Sequence, residues 1–326
     1  MPSTYDASST ASGLVSDYAS EIKGKVVLTT GVSPGGLGAV FVEAIAKAQP
    51  ALLILAGRNS SKAEQTAKAI EAANAGVKTK VLELDLGSLA AVKKAAESVM
   101  AWADVPSIDV LVNNAGIMAV EYRKTPDGYE SHLATNHLAH FLFTNLIMDK
   151  LLAASSPRVV NVSSDGHRLG HFRFDDYNFH DGETYNKWVA YGQSKTANML
   201  FSLSLAEKLG KRGLLSYSLH PGVISTNLSG HIEWGDDFAG LPAIDRSLGN
   251  AEGWREFKWK SQDQGAATHV YAAFDPALKD NNGVYLENSH IADPWVETVK
   301  PWGTSLVEAE RLWKLSEKLV GQTFQH

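Results

Sequence analysis

Tyr191 and Lys195 stand four residues apart in the run YGQSK. The surrounding pattern predicts a helix, so both side chains fall on one face. A phenol, with an ordinary pKa of about 10, is a poor acid or base at neutral pH. A neighbouring ammonium favours the phenolate and lowers that value. A Tyr–Lys pair at this spacing can therefore pass a proton to or from an alcohol oxygen. The same spacing arises by chance on many helix surfaces, where it does nothing. Tyr177 and Tyr185 nearby have no lysine four residues on, so only this pair qualifies.

A second candidate is the glycine run Thr30-Gly31-Val32-Ser33-Pro34-Gly35-Gly36-Leu37-Gly38. Glycines let the chain turn sharply and let a pyrophosphate approach a helix N-terminus, where free N–H groups and the helix dipole favour anions. Alone, such a run is a mere turn. Its place between the first strand and first helix of a parallel sheet is what points to a dinucleotide. No Gly-Lys-Ser/Thr follows, which disfavours a nucleoside triphosphate loop.

The elements that must position these residues alternate between two periods. Lys25–Thr30, Leu52–Ala56, Lys80–Leu84, Val110–Asn113, Val159–Val162 and Leu214–Leu219 are short apolar runs, read as strands buried on both faces. Between them, Leu37–Ala48, Lys62–Ala75, Leu89–Ala103, Tyr129–Leu152 and Trp188–Leu209 read as helices. This β-α-β-α order predicts a doubly wound parallel sheet in three α/β/α layers. A length of 326 residues suggests two domains on a prior of about 150 each. No linker breaks the alternation, so one domain over 21–326 is expected. A last helix, from about Ser305 to Val320, opens with a capping box of Ser305 and Glu308.

Composition narrows the function. Cysteine is absent, which excludes disulfides, thiolate nucleophiles, iron–sulfur clusters and cysteine zinc sites. A net charge of −6 with no long basic run argues against nucleic acid as the main partner. Residues 1–20 are rich in Ser, Ala and Thr and are expected to form a flexible tail, not a secretory signal. No apolar run approaches the roughly 20 residues of a membrane helix. The longest, Phe141–Leu146, already contains Thr144 and Asn145. A soluble, cytoplasmic protein is expected.

The stretch 229–265 holds Trp234, Phe238, Leu241, Ile244, Leu248, Trp254, Phe257 and Trp259 among glycines and charges. It follows the sixth strand and can lie over the carboxyl ends of the strands, where open α/β sheets bind ligands. It reads as a substrate lid; the alternative is a helical pair that only packs on the body.

The order of motifs is specific. Thr-Gly-x-x-x-Gly-Gly-x-Gly (30–38) precedes Asp85-Leu86 and Asn113-Asn114-Ala115-Gly116. Asn136, Ser163-Ser164, Tyr191-x-x-x-Lys195 and His220-Pro221-Gly222-x-x-x-Thr226 follow. This order resembles the short-chain dehydrogenase/reductase family over about residues 24–320. The long gap from Ser164 to Tyr191, with YGQSKTANMLF and HPGVISTNL, is similar to the family's retinol-dehydrogenase-like branch.

The resemblance implies a Rossmann-type fold and a role for each matched residue. Tyr191 is the general acid/base, and Lys195 lowers its pKa and holds the nicotinamide ribose. Ser164, rather than Ser163, polarises the substrate carbonyl, and Asn136 supports a water-linked relay to the lysine. Gly31, Gly36 and Gly38 line the diphosphate, with Ser33 and Leu37 beside them. Asp85, Leu86 and Asn113 neighbour the adenine end, Ala115 and Gly116 touch the cofactor, and Pro221, Gly222, Val223 and Thr226 hold the carboxamide. The loop is one residue longer than the family's usual pattern, so either Gly35 or Gly36 fills its middle position. The helices Tyr129–Leu152 and Trp188–Leu209 become a candidate homodimer face.

Cofactor choice turns on the second strand, which ends Leu55-Ala56-Gly57-Arg58-Asn59-Ser60. An acid there would bind the ribose of NAD, whereas an Arg accommodates the 2′-phosphate of NADP. With no acid and one Arg, NADP(H) is expected, with Arg58 and Asn59 at the phosphate. The alternative is that Arg58 only packs on the adenine, beside either cofactor. The expected reaction is hydride transfer between nicotinamide and a carbonyl or alcohol of an apolar small molecule. Ser164 and Tyr191 would stabilise the oxygen as charge develops on it, and in the cell the reaction would run toward reduction. Two other classes remain on this fold: an idle NADP sensor or scaffold, and an isomerase, dehydratase or cyclase. Histidines His132, His137 and His140, or His167 and His171 with Asp165, read as packing and surface residues before metal ligands.

Overall fold

A computed structural model describes residues 5–232, 234–250 and 258–326, without the side chains of Trp234, Asp236 and Asp237. The strands are β1 (Val26–Thr30), β2 (Leu52–Gly57), β3 (Thr79–Glu83), β4 (Val110–Asn113), β5 (Arg158–Val162), β6 (Leu215–His220), β7 (Val223–Ile224), β8 (Trp259–Lys260), β9 (Tyr285–Glu287) and β10 (His290–Ile291). The α-helices are α1 (Ala11–Asp17), α2 (Ala19–Ile22), α3 (Leu37–Ala46), α4 (Ser60–Ala73), α5 (Leu89–Ala101), α6 (Ala139–Leu146), α7 (Met148–Leu152), α8 (Lys187–Leu209), α9 (Trp234–Ala239), α10 (Leu241–Ser247), α11 (Gln262–Phe274) and α12 (Leu306–Val320).

Eight of the described strands form one sheet in the order β10-β9-β6-β5-β4-β1-β2-β3. All pairs are parallel except β9–β10. Successive strand residues point to opposite faces, and the sequence exploits that. Val27, Leu53, Leu55, Val110, Val112 and Val160 pack with Phe41, Ile45, Val270 and Phe274 on one side. Leu28, Ile54, Leu111 and Val159 pack with Val92, Phe141, Leu200 and Trp313 on the other. The three expected layers follow. β1 lies between β2 and β4, so the strand order reverses there and leaves the crevice where such sheets bind ligands.

Four expectations change. Residues 5–20 are not a loose tail, although residues 1–4 of that reading lie outside the described residues. Thr10 caps α1, and Ala11, Leu14 and Val15 are buried on one helical face. Ser12 holds Asp263 of α11 through both its N–H and its hydroxyl, and Tyr18 donates to Asp275. A composition dominated by small residues concealed an apolar stripe just wide enough for α11. The segment Tyr129–Leu152 is not one helix: a π-helical turn, Leu133–Leu138, runs into α6, and Ile147 breaks α6 from α7. Ser305 caps α12 by accepting from the Glu308 N–H at 3.2 Å, but the Glu308 carboxylate accepts from Arg311 in place of a full box. Finally, α12 and the chain beyond it cover the candidate dimer face. Trp313 meets Phe141 at 4.9 Å between centroids, Phe324 meets Phe141 at 5.7 Å, and Ser204 of α8 donates to the Ala309 carbonyl.

Candidate active site

The carboxyl ends of β1, β4, β5 and β6 open into a cleft of about 460 Å³. Its floor is built first by the glycine loop. Gly31 has φ +75°, and a Cβ there would lie 2.7 Å from the Ala115 Cα. Only glycine lets the two loops approach so closely. The Thr30 hydroxyl knits them further, accepting from the Asn114 and Ala115 N–H groups at 3.0 Å each. Gly36 is the N-cap of α3 and offers no side-chain cap. The first N–H groups of that helix are thus left for whatever the loop binds. Gly31, Ser33, Gly36 and Leu37 all line the cleft, as does Arg58, exposed at its rim. A cradle that a Cβ would fill, an uncapped helix start and a cation at the rim fit a dinucleotide.

Of the two candidates for the loop's middle position, Gly36 lines the cleft. Gly35, at φ +80°, instead faces Asn227. Asn227 donates to the Pro34 carbonyl at 2.8 Å, and Gln262 donates to the Gly35 carbonyl at 3.3 Å. The extra residue of the loop is where the chain before α9 and the start of α11 grip it.

The chemistry-bearing side chains converge from α8 and the turn after β5. Asn186 caps α8, accepting from the Trp188 and Val189 N–H groups. Tyr191 and Lys195 then lie one turn apart, both buried, with the ammonium 5.6 Å from the ring centroid. Ser164 caps the 3-10 turn Asp165–Leu169 and hydrogen-bonds toward Tyr191. Ser163 points elsewhere, donating to the Lys195 carbonyl at 2.8 Å. Lys195 donates to the Val162 carbonyl at 3.0 Å.

Electrostatics here differ from the sequence expectation. Burial pushes Tyr191 up to about 12, and the Ser164 hydrogen bond only partly offsets it. Burial pushes Lys195 down to about 8. Desolvation outweighs the Ser164 hydrogen bond, and the nearby Asp165 adds to the rise, so at neutral pH the phenol keeps its proton. His220 also lines the cleft. It accepts from the Asp165 N–H at 3.1 Å and is held neutral by burial, at about 4.

Of the other expected site residues, Ala115, Gly116, Pro221, Gly222, Val223 and Thr226 line the cleft. Six do not. A Cβ on Gly38 would lie 2.5 Å from the Gly31 carbonyl and the Asn114 amide, so its role here is close packing of α3 on the loop. Asn59 caps α4, accepting from the Lys62 N–H. Asp85 folds onto the Gly87 N–H, and Leu86 is core. Asn113 is buried and donates to Thr144 and Asn161; it shares the face of Leu111, whereas Asn114 reaches the cleft. Asn136 sits behind the wall, in the π-helical turn. Its carboxamide accepts from the Ile117 N–H at 2.8 Å and donates to the Ile117 carbonyl at 3.0 Å and the Ser194 hydroxyl at 2.9 Å.

Sequence reasoning missed the apolar wall of Ile117, Met118, Leu169 and Trp188, and the polar Asn114, Asp165 and His220. Several flank quoted motifs, which was the available signal. Of the stretch 229–265, Ser229 and Phe238 line the cleft. Phe238 packs on Trp188 at 5.0 Å, and Leu241 and Ile244 pack with Ile232 and Leu169. Trp254 and Phe257 lie outside the described residues, as does the Trp234 side chain. The histidines are engaged separately: His132 with Glu130, His137 with Ser316, His140 with Thr30 and His167 with the Ser164 carbonyl. No described helix is long and apolar enough to cross a membrane.

Parallel strands, a glycine loop at the switch point and a Ser–Tyr–Lys set lining the cleft define the class of nicotinamide-dependent oxidoreductases, and known proteins agree. The family described as short chain dehydrogenase matches residues 25–178. The short-chain dehydrogenase/reductase prx1 of Penicillium rubens is 37% identical over 314 residues, 93% of this chain and 87% of its own length. Retinol dehydrogenase 11 of Mus musculus is 33% identical over 303 residues, covering 92% and 88%. A solved but uncharacterized protein from Mycobacterium paratuberculosis is 30% identical, with a TM-score of 0.68 over 94% of this chain and 98% of that one. An NADPH-bound carbonyl reductase from chicken fatty liver, 21% identical with a TM-score of 0.58 over 83% and 99%, shares the fold. The chain belongs to the short-chain dehydrogenase family.

Proposed function

We propose that this protein is an NADP(H)-dependent reductase of ketones or aldehydes carried on apolar small molecules. The observation that carries the reading is one cleft with two characters. Glycine loop and Arg58 lie at one end, Met118, Leu169, Trp188 and Phe238 at the other, and Ser164, Tyr191 and Lys195 line it with them. When bound, the nicotinamide supplies the hydride.

The chain's own residues do the rest. Gly31, Ser33, Gly36 and Leu37 would hold the diphosphate, Arg58 the ribose phosphate, and Pro221 to Thr226 the carboxamide end. Ser164 and Tyr191 donate hydrogen bonds to the substrate oxygen, most strongly as it gains negative charge. Tyr191, protonated at neutral pH, then gives up its proton to that oxygen. Lys195 stabilises the phenolate left behind, and Asn136 fixes the loop at Ile117 that bounds the reacting centre. The stretch 229–265 acts as a lid, its Phe238 excluding water from the apolar end.

The test is loss of NADPH absorbance with a panel of bulky ketones and aldehydes, with NADH in parallel. Turnover with NADPH supports the reading. Tight NADPH binding without any turnover would replace it with a sensor or scaffold, and conversion of substrate without net NADPH use with an isomerase.

A further inference from the structure

Arg168 and Asp245 form a bidentate ion pair beside the cleft. Nε donates to Oδ1 at 2.7 Å and Nη2 to Oδ2 at 2.8 Å. The side chains are 8% and 0% exposed. Asn250 completes the arrangement, donating to Asp245 Oδ1 at 2.7 Å and to the Arg168 carbonyl at 3.2 Å. Arg168 also reaches the Thr298 hydroxyl at 3.3 Å. Burying two charges is costly, and apolar side chains of similar size commonly hold elements together as well or better. What a bidentate pair adds is geometry: two parallel N–H···O bonds fix both distance and plane.

The elements it joins are the informative part. Arg168 lies in the 3-10 turn that Ser164 caps, and His167 ties that turn back to the Ser164 carbonyl at 2.8 Å. Leu169, the next residue, lines the cleft. Asp245 lies on α10, one residue beyond α9, whose Phe238 closes on Trp188. Sliding contacts among Leu169, Ile232, Leu241 and Ile244 would leave the height of this helical pair adjustable; the ion pair does not.

We propose that Arg168 and Asp245 are positioning residues, a clamp that holds α9 and α10 at a set height above the Ser164 turn and so determines which carbonyl substrates fit. The proposal rests on the cleft being a carbonyl site. A single substitution strands a buried charge, so the test uses the double variant Arg168→Met/Asp245→Leu, which removes both, and the reversed pair Arg168→Asp/Asp245→Arg. In the double variant, KM for a bulky ketone should rise about tenfold, the order of a lost charge-assisted bond. Its kcat with a small aldehyde, its NADPH affinity and its Tm should stay near wild type, and amide exchange over 241–247 should quicken about tenfold on the same grounds. The reversed pair should recover part of both changes. Unchanged KM and exchange would overturn the clamp, and so would a fall in kcat with every substrate alongside a fall in Tm, the mark of a merely structural pair. If the wild type reduces no carbonyl, the functional reading fails, and the exchange measurement alone decides whether the clamp exists.

Discussion

Gly166 lies directly against the Tyr191 ring: a Cβ at position 166 would stand 2.6 Å from Tyr191 Cε1 and 3.2 Å from the Ser164 hydroxyl. The absence of a side chain there is what lets Ser164 and Tyr191 share one side of the cleft. Gly166→Ala should therefore spread them apart. Overpacking costs about 1–3 kcal/mol, which, placed on the transition state, is a roughly ten- to hundredfold loss of kcat. NADPH affinity, measured by titration, should hold; turnover equal to wild type would show that the spacing does not matter.

Removing the phenolic hydroxyl alone is the sharper test of proton donation. Tyr191→Phe should lower turnover at least about a hundredfold, the usual contribution of general acid catalysis. Calorimetry should find NADPH binding little changed. Near-normal turnover would exclude Tyr191 as the donor.

Arg58 carries the cofactor prediction. The wild type should bind NADPH more tightly than NADH, and Arg58→Ala should erase most of the difference by weakening NADPH alone. A charge-assisted hydrogen bond to phosphate is worth about 1.5–3 kcal/mol, roughly ten- to a hundredfold. Equal losses for both cofactors would mean that the guanidinium packs on the adenine instead.

Phe238→Ala opens the apolar end of the cleft. Because burying such a side chain is worth about 1.5–3 kcal/mol, KM for a bulky ketone should rise roughly tenfold or more. A product-bound structure in which no residue of 229–265 approaches the substrate would refute the lid.

Acid should unfold the protein early. Burial lowers His137 to about 3, and His140, His220 and His269 to about 4, from an ordinary 6.5. Between those values the unfolded chain binds protons that the folded chain refuses. The histidines' contribution to stability is therefore full above about pH 6.5 and falls as pH drops toward 4, by up to about 1.4 kcal/mol per pH unit for each histidine. Urea titrations at stepped pH would show it; constant stability down to pH 5 would contradict it.

Much of this was legible in the chain. Short apolar runs marked β1, β2, β4 and β5 as strands buried on both faces, and motif order brought Tyr191, Lys195 and Ser164 together. Period two also places Asn113 with Leu111, facing Thr144 of α6, which leaves Asn114 as the cleft residue. β9 and β10 were hidden because three- and two-residue strands carry no period. The raised Tyr191 was hidden for another reason. Spacing reveals a neighbouring lysine, but burial, which sets the direction of the shift here, belongs to the whole fold.

The grip of Asn227 and Gln262 on the Pro34 and Gly35 carbonyls makes the glycine loop and the chain that flanks α9 and α10 one mechanical unit. A shift of either breaks bonds held by the other. By reciprocity of linked equilibria, a ligand that steadies the loop changes the affinity beneath the α9–α10 segment by the same factor that a ligand there changes affinity at the loop. The lengthened loop thus ties the glycine turn to the chain on both sides of that segment.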